Sequence, residues 1–146
     1  MPIKLLLADH GELPLLGLRT LFAQEDRVEI VGEARDPIAL SALLVRHKPD
    51  VVLIDHTAEG FSAKAVRDSL RRLPRVRFVG ITTDPSPLAL MSALKAGVTS
   101  YVKKDCDVQE IRDSVLRTAE GGRFFCGKIL ETLHRGGGQP LGLVEP

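Results

Sequence analysis

The stretch that decides the fold reads PDVVLID and covers residues 49–55. Pro49 and Asp50 end the preceding helical pattern, four apolar residues follow, and Asp55 comes directly after them. An apolar run of this length, bounded by turn residues, is typical of a strand that is buried on both faces of a parallel sheet. The stretch therefore predicts a central parallel strand that ends in a carboxylate.

The same pattern repeats on both sides of this stretch. Short apolar runs predict five strands, at residues 3–8, 29–33, 51–54, 76–81 and 99–103. Amphipathic stretches predict five helices, at residues 13–24, after the caps Asp36 and Ser62, at residues 85–96, and after the cap Asp107. Strict alternation of strand and helix predicts an α/β fold, a doubly wound five-stranded parallel sheet with helices on both faces.

Composition limits the function classes. The chain has 146 residues, of which 44% are hydrophobic and 27% charged, as in a globular domain with a full core. A formal net charge of +1 gives no argument that this chain binds nucleic acid directly. No apolar run is long enough to span a membrane. Cys106 and Cys126 show no metal-binding spacing, so we expect reduced thiols in a cytoplasmic protein.

Four polar residues stand at or just past the predicted ends of four strands. They are Asp9, Asp55, Thr82 and Lys104. Parallel strands bring their carboxyl ends to one edge of a sheet, and ligands bind at that edge where the strand order reverses. Two acids, a hydroxyl and an ammonium group suit an anionic phosphoryl group held together with a divalent metal. Each residue could instead cap a loop or face solvent, but their joint placement favours one pocket.

Seven short fragments occur in a characteristic order along the chain. They are LLADH (6–10), GLR (17–19), VGEA (31–34), PDVVLID (49–55), AG (96–97), YVKKD (101–105) and AEGGRFF (119–125). With these fragments the chain resembles the receiver domains of bacterial two-component response regulators, and it is most similar to the LuxR/NarL/FixJ-like subgroup, in which the receiver precedes a LuxR-type helix-turn-helix. The resemblance covers about residues 2–133 and implies a flavodoxin-like, CheY-like fold with strand order 2-1-3-4-5.

The resemblance also implies a role for each phosphoryl-binding position. Asp55 matches the aspartate that accepts the phosphoryl group, and Lys104 matches the lysine that pairs with a phosphoryl oxygen. Thr82 matches the hydroxyl that moves towards the phosphoryl group. Tyr101 matches the aromatic residue linked to that movement, and we expect it to fill the space that opens behind Thr82.

The metal-binding positions show one departure from the family pattern. The resemblance implies a Mg²⁺ cofactor held by Asp9, Asp55 and the backbone carbonyl of Thr57. The family usually has a second acid after the first, whereas this chain has His10. A neutral imidazole removes one negative charge, so we expect weaker Mg²⁺ binding.

A second departure follows Asp55, where Ala58 and Glu59 replace the usual Met-Pro. Glu59 is either a solvated loop charge or an acid that reaches back to the site. A further alternative is a transition-metal site in which His10 and His56 join the two aspartates.

The strand–helix alternation ends near residue 121, which predicts a receiver domain at residues 1–122 and a short C-terminal extension at 123–135. The Gly- and Pro-rich composition that follows predicts a flexible linker or tail at 136–146. The resemblance implies a non-enzymatic signal receiver that takes a phosphoryl group from a histidine kinase or phosphotransfer protein. Implied partners are a second copy in a homodimer and a DNA-binding output domain beyond residue 146, with transcription as the output.

Two other function classes remain open. One is a degenerate pseudo-receiver that acts as a phosphorylation-independent interaction or dimerisation module. His10 and the Ala58-Glu59 pair favour it, whereas intact Asp55, Thr82 and Lys104 disfavour it. The other is a small hydrolase or nucleotide-binding domain, which the lack of a glycine-rich phosphate loop after the first strand disfavours.

Overall fold

A computed structural model of the protein describes residues 1–135. Residues 136–146, predicted to be a linker or tail, lie outside the described residues. The strands are β1 (Ile3–Ala8), β2 (Val28–Ala34), β3 (Val51–Ile54), β4 (Arg77–Thr82) and β5 (Ser100–Lys103). They pair in parallel in the order β2-β1-β3-β4-β5, so the predicted doubly wound sheet and its strand order are confirmed.

Helices cover both faces of this sheet. They are α1 (Glu12–Ala23), α2 (Pro37–His47), α3 (Ala63–Arg72), α4 (Pro87–Ala96), α5 (Val108–Ala119) and α6 (Gly127–Arg135). Helix α1 packs beside α5, and α3 packs between α2 and α4. The sixth helix, α6, lies in the segment predicted to be a C-terminal extension, and it packs against β5 and α4. Within residues 1–135, none of these helices has the length and apolarity to cross a bilayer.

The helix caps follow the sequence signals with one exception. The carboxylate of Asp36 accepts a hydrogen bond from Ala39 N at 2.8 Å, and that of Asp107 accepts one from Gln109 N at 2.9 Å. Ser62 occupies the predicted cap position of α3, but its hydroxyl makes no capping hydrogen bond. Ser86 falls inside the predicted helix 85–96, but it is the cap residue of α4, since its hydroxyl accepts from Ala89 N at 3.1 Å.

The central strand explains the unbroken apolar run. All four side chains of β3 are fully buried, because β1 and β4 flank the strand and helices cover both of its faces. Strand β4 extends one residue further than predicted, so Thr82 is its last residue. The extension is paired, since Lys104 N donates to Thr82 O at 2.8 Å.

Candidate functional site at the carboxyl edge of the sheet

The two predicted acids and the predicted ammonium group meet at one point. Lys104 Nζ lies 2.8 Å from Asp9 Oδ2 and 2.8 Å from Asp55 Oδ2. Both aspartates are almost completely buried, with 2% and 4% of their surface exposed. The parallel sheet produces this contact, because β1 and β3 are neighbours and β5 delivers Lys104 from across β4.

The charges in this cluster stabilise each other. Burial opposes ionisation of Asp55, but hydrogen bonds from Lys104 and Thr57 outweigh it and hold the pKa of Asp55 below its usual value. Burial also opposes the charge of Lys104, yet its contacts with Asp55 and Asp9 raise its pKa. At neutral pH Asp55 and Lys104 therefore form a buried ion pair of a carboxylate and an ammonium group.

Asp9 provides the test of whether these residues suit a metal ion. Its Oδ1 accepts from Gly11 N at 2.9 Å. Its Oδ2 is close to Lys104 but outside hydrogen-bond geometry, and it is buried without a hydrogen-bond partner among the described residues. Such an oxygen is a natural ligand for a hard cation.

The metal-binding capacity of the site is nevertheless limited. No group of three or more His, Cys, Asp and Glu side chains within residues 1–135 is placed to hold a metal ion. The donor chemistry fits a Mg²⁺ ion that keeps most of its water shell and takes only two carboxylates from the protein.

Thr57 has a role that sequence reasoning missed. Its hydroxyl donates to Asp55 Oδ1 at 2.6 Å, and its backbone N–H donates to the same oxygen at 2.9 Å. The Thr57 hydroxyl also lies 2.8 Å from the Thr82 hydroxyl. Because Thr57 has already donated its single proton to Asp55, Thr82 must be the donor in this second bond. The spacing of two residues after an aspartate predicts the backbone bond, but not the link to Thr82.

Tyr101 lies inside the protein and contacts the residue after Asp55. Its side chain is completely buried, and its Oη lies 2.5 Å from His56 Nε2. The two rings meet edge to face, with centroids 5.6 Å apart. Burial lowers the pKa of His56 more than the Asp55 charge raises it, and burial is also the main cause of the raised pKa of Tyr101. A neutral imidazole therefore faces a neutral phenol.

His10 lies away from this contact and faces solvent. Its side chain is 53% exposed, and its Nε2 lies 3.7 Å from Glu59 Oε2, on a side chain that is 83% exposed. Glu59 therefore contacts His10 and not the buried carboxylates. Since His56 is bonded to Tyr101, the structure contradicts the alternative in which both histidines join Asp9 and Asp55 around a transition metal.

Comparison with known proteins identifies the class to which this fold and site belong. The sequence matches the response regulator receiver domain family over residues 5–116, and the chain belongs to that family. It is 28% identical over 131 residues to the response regulator protein VraR of Staphylococcus aureus (strain Mu3), covering 89% of this chain. The chain spans only 63% of the length of that relative.

Solved receiver domains of regulators of the LuxR and NarL types share this fold. The signal receiver domain of the putative response regulator NarL from Mycobacterium tuberculosis is 29% identical, with a TM-score of 0.75 over 82% of this chain and 98% of that one. A LuxR-family two-component response regulator from Aurantimonas sp. shares the fold, with a TM-score of 0.86, 23% identity, and coverage of 93% and 98%. The chain is thus a CheY-like receiver domain of a two-component response regulator.

Proposed function

We propose that Asp55 accepts a phosphoryl group from the phosphohistidine of a histidine kinase or phosphotransfer protein. An Asp55 carboxylate oxygen forms a bond to phosphorus while the phosphorus–nitrogen bond breaks, and the imidazole nitrogen leaves with the electron pair. The product is an acyl phosphate. The observation that carries this proposal is the 2.8 Å contact between Lys104 Nζ and Asp55 Oδ2, which keeps a buried carboxylate ionised.

Lys104 and Thr82 would then stabilise the negative charge of the phosphoryl group. The ammonium group can form a charge-assisted hydrogen bond to a phosphoryl oxygen, as the hydroxyl of Thr82 can once it leaves Thr57. Electrostatic stabilisation of this kind supplies most of the catalysis in phosphoryl transfer. Receiver domains generally act in this way as signalling modules and not as enzymes.

Mg²⁺ is the cofactor that this chemistry requires, and receiver domains generally bind it at their acidic site. In this chain Asp9, Asp55 and the Thr57 backbone carbonyl would hold the ion. When bound, Mg²⁺ neutralises charge on the phosphoryl oxygens. Two buried aspartates support this assignment, together with Asp9 Oδ2, which contacts Lys104 but has no hydrogen-bond partner among the described residues; His10 in place of an acid weakens it.

The proposed output is control of transcription in the cytoplasm. Phosphorylation would shift self-association of the receiver, and a DNA-binding domain beyond residue 146 would respond to it. LuxR-family relatives support this proposal, together with the greater length of the VraR relative. Residues 1–146 would not themselves contact nucleic acid.

A second candidate function is a phosphorylation-independent interaction or dimerisation module. Two observations favour it, namely His10 at the position of the missing acid and a Tyr101 side chain that is already buried. An intact Asp55–Lys104 contact favours the first candidate.

Mass spectrometry after incubation with acetyl phosphate and Mg²⁺ separates the two candidates. We expect one phosphoryl group on the wild type and none on Asp55→Asn, because the amide is not a nucleophile. Asp50→Asn is the matched control, since Asp50 immediately precedes β3, at the opposite end from Asp55, and should leave labelling intact. Labelling of Asp55→Asn would refute the acceptor assignment, and an unlabelled wild type would favour the second candidate.

A further inference from the structure

Gly80 makes the inward position of Tyr101 possible. The two residues are direct partners in the pairing of β4 with β5. A Cβ atom on Gly80 would lie 2.5 Å from Tyr101 Cδ2 and closer still to Cε2. Carbon atoms in van der Waals contact are about 3.5–4.0 Å apart, so any side chain at position 80 would compete with the ring for the same space.

His56 satisfies the only polar atom of the buried ring. A phenol hydroxyl inside a protein needs a hydrogen-bond partner, and an unpaired one destabilises the buried arrangement. His56 Nε2 supplies that partner at 2.5 Å, from a side chain that is itself buried. Gly80 on β4 therefore leaves room for the Tyr101 ring, and His56, which follows β3, supplies the hydrogen bond to its hydroxyl.

The backbone of Tyr101 is held as well. Its N–H donates to Phe124 O at 2.9 Å, and its carbonyl accepts from Cys126 N at 3.3 Å. Residues 124–126 lead directly into α6. Tyr101 thus joins the residue next to Asp55 to the segment that runs towards the C-terminus.

We propose that His56 and Gly80 are positioning residues that hold Tyr101 inward before any phosphoryl group arrives. The inference rests on the proposed function only where it treats Tyr101 as part of a phosphorylation switch. On the sequence alone we expect Tyr101 to move inward when Thr82 moves; in the structure the ring is already buried, so no inward movement is needed. Thr82 is then the group that phosphorylation redirects, away from Thr57 and towards the phosphoryl oxygen.

The chain offers a clean probe for this arrangement. It contains one tyrosine and no tryptophan, so tyrosine fluorescence reports Tyr101 alone. We expect acrylamide to quench the resting wild type several-fold less than the urea-unfolded chain, and acetyl phosphate with Mg²⁺ to leave that protection unchanged. A resting ring quenched as readily as the unfolded chain, or protected only after the donor is added, would overturn the proposal.

Variants at the two histidines test the positioning role directly. His56→Leu removes the hydrogen bond at similar volume and should raise quenching several-fold. His56→Gln, whose amide can bond the hydroxyl, should restore part of the protection. His10→Leu is the control and should match the wild type. If His56→Leu also matches the wild type, His56 does not position the ring.

Gly80→Ala should displace the ring and raise quenching further. If this variant fails to fold, the Gly80→Ala substitution is made in the Tyr101→Ala variant, which lacks the tyrosine ring. We expect the added methyl group to destabilise the Tyr101→Ala background far less than the wild type, and equal losses would contradict the role of Gly80. The resting measurement involves no phosphorylation, so failed labelling of Asp55 would refute the proposed function and leave this inference standing.

Discussion

Asp9-His10 and Asp55-His56 are the same dipeptide at the ends of two neighbouring strands, yet their histidines have opposite surroundings. Both aspartates are buried and contact Lys104. His10 faces solvent beside an exposed glutamate, whereas His56 is buried against Tyr101. The end of the strand determines the position of each aspartate. The direction of the following histidine side chain depends instead on which residues of other elements lie beside it.

The largest expected difference between the two histidines is in stability. His56→Ala should lower the free energy of unfolding by about 1–3 kcal/mol, because it leaves the buried hydroxyl of Tyr101 without a partner. His10→Ala should change it by less than about 0.5 kcal/mol, as for most exposed positions. Urea unfolding of both variants measures these values. Equal losses would remove the distinction between the two pairs.

Alkaline titration tests the environment that His56 helps to create. In an unfolded chain a tyrosine ionises near pH 10, as a rough reference. Burial first, and the Asp55 charge second, raise the pKa of Tyr101 in the folded protein. The folded state therefore holds this proton more tightly than the unfolded state. The contribution of protonated Tyr101 to the free energy of unfolding is therefore complete below about pH 10. Above that pH it is lost, by at most about 1.4 kcal/mol per pH unit.

Ultraviolet absorbance and circular dichroism recorded together detect this behaviour. We expect the phenolate of Tyr101 to appear only as the protein unfolds. In the His56→Leu variant we expect Tyr101 to ionise at a lower pH than in the wild type. Phenolate formation near pH 10 in a fully folded wild type would show that the ring is not held inside.

The smallest expected effect concerns Mg²⁺ and the other histidine. His10→Asp places a third carboxylate at the edge of the site and should strengthen Mg²⁺ binding by on the order of 1 kcal/mol in this partly screened position. His10→Asn is the matched control, since it adds no charge and should bind as the wild type does. Calorimetric titration measures all three proteins. Tight wild-type binding that His10→Asp leaves unchanged would mean that His10 does not weaken the site.

The sequence was sufficient for the sheet and for the placement of its charged residues. Burial of β3 follows from its unbroken apolar run, and the contact of Lys104 with Asp9 and Asp55 follows from residues that stand at strand ends. Both depend on local patterns and on one rule of parallel sheets. The strand order itself came from the family resemblance, which the structure confirms.

Two contacts beside Asp55 were not predictable in this way. The Thr57–Thr82 bond joins residues 25 apart in sequence, and the His56–Tyr101 bond joins residues 45 apart. Strand and helix signals arise from neighbours along the chain, and they set which residues reach the carboxyl edge. A hydrogen bond between two such side chains forms only if the strands that carry them place donor and acceptor correctly to within a few tenths of an ångström. By itself the sequence determined the fold and the position of Asp55, and only the tertiary structure decided that His56 points inward while His10 points out.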